Sequence, residues 1–171
     1  MSIHERPSEA DGKRFGGLEM DTIVGPNNQQ AIVTLVDRNT NMLFMKNLKY
    51  GKDAEKLALT VIEKLKPIKR KLKTITTDNG KEFSAHEIIS EALGVNVFFT
   101  DPYSSWQKGA IENANGLIRQ YIPKKVSFND YDDKDIKDIE EKINRRSRKK
   151  SGLIHELSDF LKSFHKFTLA S

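Results

Sequence analysis

The chain has 171 residues, 37% hydrophobic and 31% charged, a formal net charge of +5 and no cysteine, which is enough apolar material for one well-cored domain with appendages. The lack of cysteine excludes a disulfide framework and a thiolate metal site, and the four histidines do not fall at zinc-ligand spacing, so any metal must sit on oxygen. No apolar run approaches the roughly 18 residues of a membrane span and the first residues form no signal-peptide core, so a cytoplasmic protein without a membrane partner is expected, and its positive charge favours a polyanion.

Residues 1–17 are polar and carry Pro7, Gly12, Gly16 and Gly17, and they read as an irregular arm. Leu18 to Val24 reads as a strand ending at Gly25-Pro26-Asn27-Asn28. A β-branched run from Gln30 to Val36 and a third run from Met42 to Leu48 follow, joined by Asp37-Arg38-Asn39-Thr40-Asn41, which predicts an antiparallel meander. Asp53 is placed to cap a helix through Leu57, Val61, Ile62 and Leu65 that stops at Pro67. Leu72 to Thr77 is strand-like and ends at Asp78-Asn79-Gly80. Ser84 is the expected cap of a helix from His86 to Leu93, closed by Gly94, and Val95 to Thr100 is a fifth strand.

The next stretch, Asp101 to Tyr121, opens with a Pro/Ser turn and predicts a helix with Glu112, Asn115 and Arg119 in one row and Ile111, Leu117 and Ile118 buried. Beyond it, Asp132 to Asn144 is an amphipathic helix with Ile136, Ile139 and Ile143 inward. Lys142 to Lys150 holds six basic residues in nine, and Leu153 to Phe167 has the apolar stripe of a last helix. The order βββαβαβα plus C-terminal helices implies an α/β fold, a mixed five-stranded sheet with three antiparallel strands and then two parallel ones.

Three carboxylates fall at odd places for structural acids. Asp21 lies inside the first strand, where a bare charge is costly. Asp78 ends the fourth strand, where open α/β sheets place ligand groups. Glu112 is on the helix after the fifth. Clustered acids without an obvious basic partner are tolerated if a hard divalent cation shares them, and two such ions roughly 4 Å apart can drive phosphodiester chemistry. The basic segments could hold a DNA backbone by phosphate contacts.

The runs Glu19-Met20-Asp21-Thr22-Ile23-Val24-Gly25, Thr76-Thr77-Asp78-Asn79-Gly80-Lys81-Glu82-Phe83 and Asp101 to Gly109, followed by Glu112-Asn113-Ala114-Asn115-Gly116-Leu117-Ile118-Arg119-Gln120-Tyr121, closely resemble the DDE transposases of the bacterial insertion-sequence family named IS thirty. The 33 residues between Asp78 and Glu112 match that family's separation. The resemblance covers roughly residues 3–150. It implies an RNase H-like integrase core over 18–150, with the arm 1–17 before it and a helix in 151–171 after it. It also implies Asp21, Asp78 and Glu112 as a catalytic triad binding magnesium or manganese, cleavage at transposon ends, strand transfer into target DNA, and a homodimer.

The chain departs from the family at Gly16-Gly17-Leu18-Glu19, where Gly-Asp-Trp-Glu is usual, and at Asn144-Arg145-Arg146-Ser147-Arg148-Lys149, where Asn-x-Arg-Pro-Arg-Lys is usual. Seventeen irregular residues cannot supply the family's N-terminal helix-turn-helix segments, so the chain reads as an isolated core or a truncated copy. Rival readings are an inactive DNA-binding or regulatory fragment and a nuclease acting on RNA–DNA hybrids.

For the remaining polar groups, DNA contact is expected at Lys108, Asn115, Arg119, Arg145, Arg146 and Arg148, with an intramolecular hydrogen bond the alternative for Asn115 and Arg119. Trp106 and Tyr103 are expected to anchor their loop to the core, with base stacking the alternative. The run Lys64 to Lys73 reads as a solvated surface.

Overall fold

The computed structural model describes residues 1–8, 13–26, 30–48, 51 and 53–151, without the side chains of Ser105 and of 147–151. Strands β1 (Gly17–Val24), β2 (Ala31–Asp37) and β3 (Leu43–Leu48) form the meander. They are followed by α1 (Ala54–Leu65), β4 (Thr74–Thr77), α2 (His86–Leu93), β5 (Asn96–Phe99), α3 (Gly109–Ile118) and α4 (Asp133–Ser151). The sheet order is β3-β2-β1-β4-β5, with β1–β2 and β2–β3 antiparallel and β1–β4 and β4–β5 parallel. This is the expected mixed sheet, and it puts β1 at its centre. Among the described residues no helix is long and apolar enough to cross a membrane.

Alternation along the strands divides the core in two. Leu18, Met20, Val33 and Leu35 face Leu57, Val61 and Leu65 of α1 and Ile89 and Leu93 of α2. On the opposite face Ile23, Ile32 and Val36 meet Ile111, Ala114 and Ile118 of α3 and Ile136, Ile139 and Ile143 of α4. Every residue of β2 is buried, as a strand covered on both faces requires.

The element ends follow local chemistry. The Asp53 side chain accepts from the Lys56 N–H and caps α1, and a 3-10 helix, Lys66–Lys71, takes over at Pro67. Gly94 closes α2 in the left-handed region at φ 68°. Ser84 does not cap α2: it ends a 3-10 turn, Lys81–Phe83, and Ala85 stands at the helix start without a side-chain acceptor. The predicted helix ending at Asn144 instead runs on to Ser151, since neither glycine nor proline interrupts 133–151 and its acidic first turn suits the positive end of the helix dipole. The helix expected at Leu153–Phe167 lies outside the described residues.

Both sheet edges are covered. On the β3 side, Asn144 donates its amide to the Leu43 carbonyl (2.9 Å) and accepts from the Leu43 N–H (2.8 Å). One turn earlier, Glu140 accepts from the Met45 N–H and pairs with Lys64 at 2.8 Å. Burial pushes the Glu140 carboxyl above its ordinary value, against the pull of Lys64. On the β5 side, Met1 accepts from the Phe99 N–H at 2.9 Å and Ser2 bridges to Phe99. Asn144→Leu keeps the volume but strands both backbone groups of Leu43, so denaturant unfolding is expected to record a loss of about 2–3 kcal/mol; an unchanged midpoint would contradict the edge role.

Candidate active site

The site follows from strand register. Glu19 pairs with Thr76 across β1 and β4, so continuing two residues along each strand brings Asp21 level with Asp78 on the same face. Neighbouring strands lie roughly 4.8 Å apart, which sets two carboxylates side by side where β4 ends. Asp78 also folds its own turn, one carboxylate oxygen accepting from the Gly80 N–H at 3.0 Å. A side chain on Gly80 would press on the carboxylates of Asp78 and Glu82, which would have to turn aside.

Lys108 sits between the two aspartates. Its Nζ is 2.8 Å from Asp78 Oδ2 and 3.7 Å from Asp21 Oδ1, and the residue is 6% exposed. It is the basic partner that the acids lacked in the sequence, and it pairs with them rather than with Glu112 four residues on. Asp21 also accepts from the Thr22 N–H at 2.9 Å and from the Asn115 amide at 2.9 Å. Burial pushes the Asp21 carboxyl above its ordinary value of 3.8. Lys108 and these hydrogen bonds counter the shift, and the Asp78 charge adds to it.

Helix α3 lies along β1 and is tied to it at three points. The Ile111 N–H donates to Glu19 Oε2 at 2.8 Å, Asn115 donates to Asp21, and Arg119 donates to the Val24 carbonyl at 2.9 Å. Glu112 is exposed, on the same side of α3 as Asn115 and in sequence between Lys108 and Asn115, both of which touch Asp21. The structure therefore joins Asp21 and Asp78 through Lys108 and sets Glu112 on the helix docked beside them.

The other predicted groups fall in three places. Thr34 donates to Asn115 Oδ1 at 3.1 Å, fixing which amide face meets Asp21. Arg119 stacks over Phe128, with its second terminal nitrogen buried without a hydrogen-bond partner, and burial lowers its pKa. On α4, Arg145 is exposed and pairs with Glu141 at 3.5 Å, and Arg146 lies over the Tyr121 ring and donates to Gln120. The side chain of Arg148 lies outside the described residues.

The two aromatics do not anchor their loop. Tyr103 is fully exposed, at φ 60°, and Trp106 is 73% exposed. Asp101 and Gln107 hold the loop instead: Gln107 donates to Asp101 Oδ2 and accepts from the Asp101 N–H, both at 2.9 Å. Sequence reasoning missed Glu19 and Glu82, the latter accepting from the Thr22 hydroxyl at 3.0 Å. Both stand in plain view beside the aspartates, and parity with Asp21 could have singled out Glu19.

An ammonium shared by Asp21 and Asp78 marks a place where the pair already balances one positive charge, so these oxygens suit a hard divalent cation. Among the described residues no three His, Cys, Asp or Glu side chains gather closely enough to enclose one: Asp21 and Asp78 are drawn together, and Glu112 stands to one side.

No family model matches the chain. It is 46% identical over 155 residues to the transposase for insertion sequence element IS4351 of Bacteroides fragilis, covering 90% of the chain and 47% of that relative. It is 38% identical over 149 residues to the transposase InsI for insertion sequence element IS30A of Escherichia coli (strain K12), covering 86% of the chain and 38% of that relative. The chain thus spans less than half the length of these relatives. Among solved structures, the simian T-cell lymphotropic virus intasome in complex with the PP2A regulatory subunit B56 gamma shares the fold at a TM-score of 0.57 and 17% identity, over 72% of this chain and 46% of that one.

The sheet order and the structural match define the class of fold, an RNase H-like mixed sheet flanked by helices. Within that class the chain is related to insertion-sequence transposases, as its motifs imply.

Because the folded chain holds Asp21 with a raised pKa, that residue's contribution to stability is fully present below 3.8 and lost as pH rises through the folded value. Asp21→Asn removes the desolvated charge. In metal-free buffer at pH 7 its thermal midpoint should rise by about 2–4 °C, and stability should fall less between pH 4 and 7, which thermal scans across pH would read.

Proposed function

We propose that this core cuts phosphodiester bonds at transposon ends and joins the freed ends to target DNA, with magnesium or manganese held by Asp21 and Asp78 and completed by Glu112. The observation that carries the reading is the pairing of Asp21 with Asp78 at the end of β4 around a single shared cation, Lys108. A divalent cation in that place would supply Lewis-acid polarisation of a phosphate oxygen and activation of the attacking hydroxyl.

The chain's own groups then have separate tasks. Asn115 and the Thr22 N–H fix the orientation of the Asp21 carboxylate. Lys108, whose ammonium already reaches this spot, is placed to contact a phosphate there. Arg119 firms the far end of α3 on Val24 and, with Asn115, borders the path of the DNA backbone. Arg145 and Arg146 stand in the last turns of α4, with Arg148 following in sequence, and together they would meet phosphates of a duplex. Tyr103 and Trp106, exposed on the loop before α3, offer flat faces for unpaired bases at a cut end. Two such cores act together as a homodimer on two ends, in the bacterial cytoplasm at the nucleoid; relatives named as transposases and a fold shared with a chain of an intasome support this assembly.

Manganese-dependent nicking and strand transfer on a transposon-end oligonucleotide should vanish in Asp21→Asn, Asp78→Asn and Glu112→Gln; activity retained in all three would overturn the assignment. Trp106→Ala should weaken binding to an end with unpaired bases by about 1–3 kcal/mol and leave fully paired duplex binding unchanged, as fluorescence anisotropy would show.

A further inference from the structure

Glu19 is a buried carboxylate that the proposed chemistry does not use. It is 1% exposed, two residues before Asp21 on the same face of β1. One oxygen pairs with Arg38 Nε at 2.9 Å, and the other accepts from the Ile111 N–H at 2.8 Å, with the Ala110 N–H also directed at the carboxylate. These amides belong to the first turn of α3, whose N–H groups have no partner within the helix. Helices usually satisfy them with a Ser, Thr, Asp or Asn at the cap. Here the cap position holds Lys108, which has no acceptor and is drawn away to the aspartates. The missing cap is supplied from the neighbouring strand.

We infer that Glu19 is a positioning residue: by capping α3 from β1, and itself held by Arg38, it fixes the helix turn that carries Glu112 against the strand that carries Asp21. Three features converge on this. Glu112 directly follows Ile111, so the hydrogen bond at Ile111 sets the height of Glu112 along β1. A carboxylate is favoured at the positive end of a helix dipole. Arg38 comes from the turn after β2, so a third element limits how far Glu19 can move. The inference rests on the reading of Asp21 and Glu112 as one site.

Glu19→Ala removes both the acceptor and the charge, whereas Glu19→Gln keeps an acceptor oxygen and loses only the charge. Three readouts on the full chain separate positioning from general stability: amide exchange at Ala110 and Ile111 against that at Val33 and Leu35 in β2, manganese affinity by electron paramagnetic resonance, and the thermal midpoint. Glu19→Ala should speed exchange at Ala110 and Ile111 at least tenfold while the β2 amides keep their protection, and should weaken manganese binding at least tenfold. Glu19→Gln should fall between it and the parent on both counts.

Unchanged exchange at Ile111, equal acceleration throughout the sheet, or full manganese affinity despite a loosened Ile111 would each overturn the inference. If Glu19→Ala does not fold, Glu19→Gln decides by the same criteria. A parent chain that binds no manganese would overturn the reading of the site instead, and the exchange pattern would still decide whether Glu19 fixes α3.

Discussion

The arrangement depends on a match of lengths between one helix and one strand. Two residues of strand advance by about 6.6 Å and four residues of helix by about 6 Å, so a helix lying along a strand can meet it at every second strand residue and every fourth helix residue. Here α3 does so at Glu19 with Ile111 and at Asp21 with Asn115, and the longer Arg119 side chain then reaches three strand residues on, to the Val24 carbonyl. Apolar contact by Ile111, Ala114 and Ile118 supplies the adhesion, and the three polar contacts supply the register. A slip of one residue would turn the apolar face away and leave buried polar groups unpaired, so two independent penalties hold the same alignment.

That alignment explains why a group of charges can be tolerated next to the core. Asp21 and Asp78 are neighbours because parallel strands carry them to the same level, and burial opposes the charge of Asp21. Lys108, Asn115 and backbone N–H groups offset the opposition in part. The remainder is a local cost to stability at Asp21. Glu19, more deeply buried, meets a different set of groups: a guanidinium and the start of a helix. Two acids of one strand, two residues apart on one face, are thus assigned opposite roles by what the fold brings to them.

Much of this was legible in the amino-acid order. Alternation and turn residues marked the five strands, and the resemblance to a transposase family joined Asp21 and Asp78 in one site. What escaped was set by contacts distant in sequence. Lys108 reads as a DNA contact, and its pairing with the aspartates shows only once β1 and β4 are side by side. The exposure of Trp106 follows from the Asp101–Gln107 pair, which holds the loop without needing the ring. The length of α4 was underestimated because its apolar stripe ends near Asn144, while nothing in the backbone obliges the helix to stop there. Ser84 has the chemistry of a cap, but a 3-10 turn claims its backbone first.

The covered sheet edges constrain how two copies can meet. Strand edges with free N–H and C=O groups invite another chain to extend the sheet. In this fold Asn144 and Glu140 occupy those groups on β3, and Met1 and Ser2 occupy them beside Phe99 on β5. Extending the sheet across two cores at Leu43, Met45 or Phe99 would require these contacts to open first. Pairing of intact cores is therefore left to side-chain surfaces on helices and loops, where contacts can form and release without unpicking the backbone ladder that keeps the acids level.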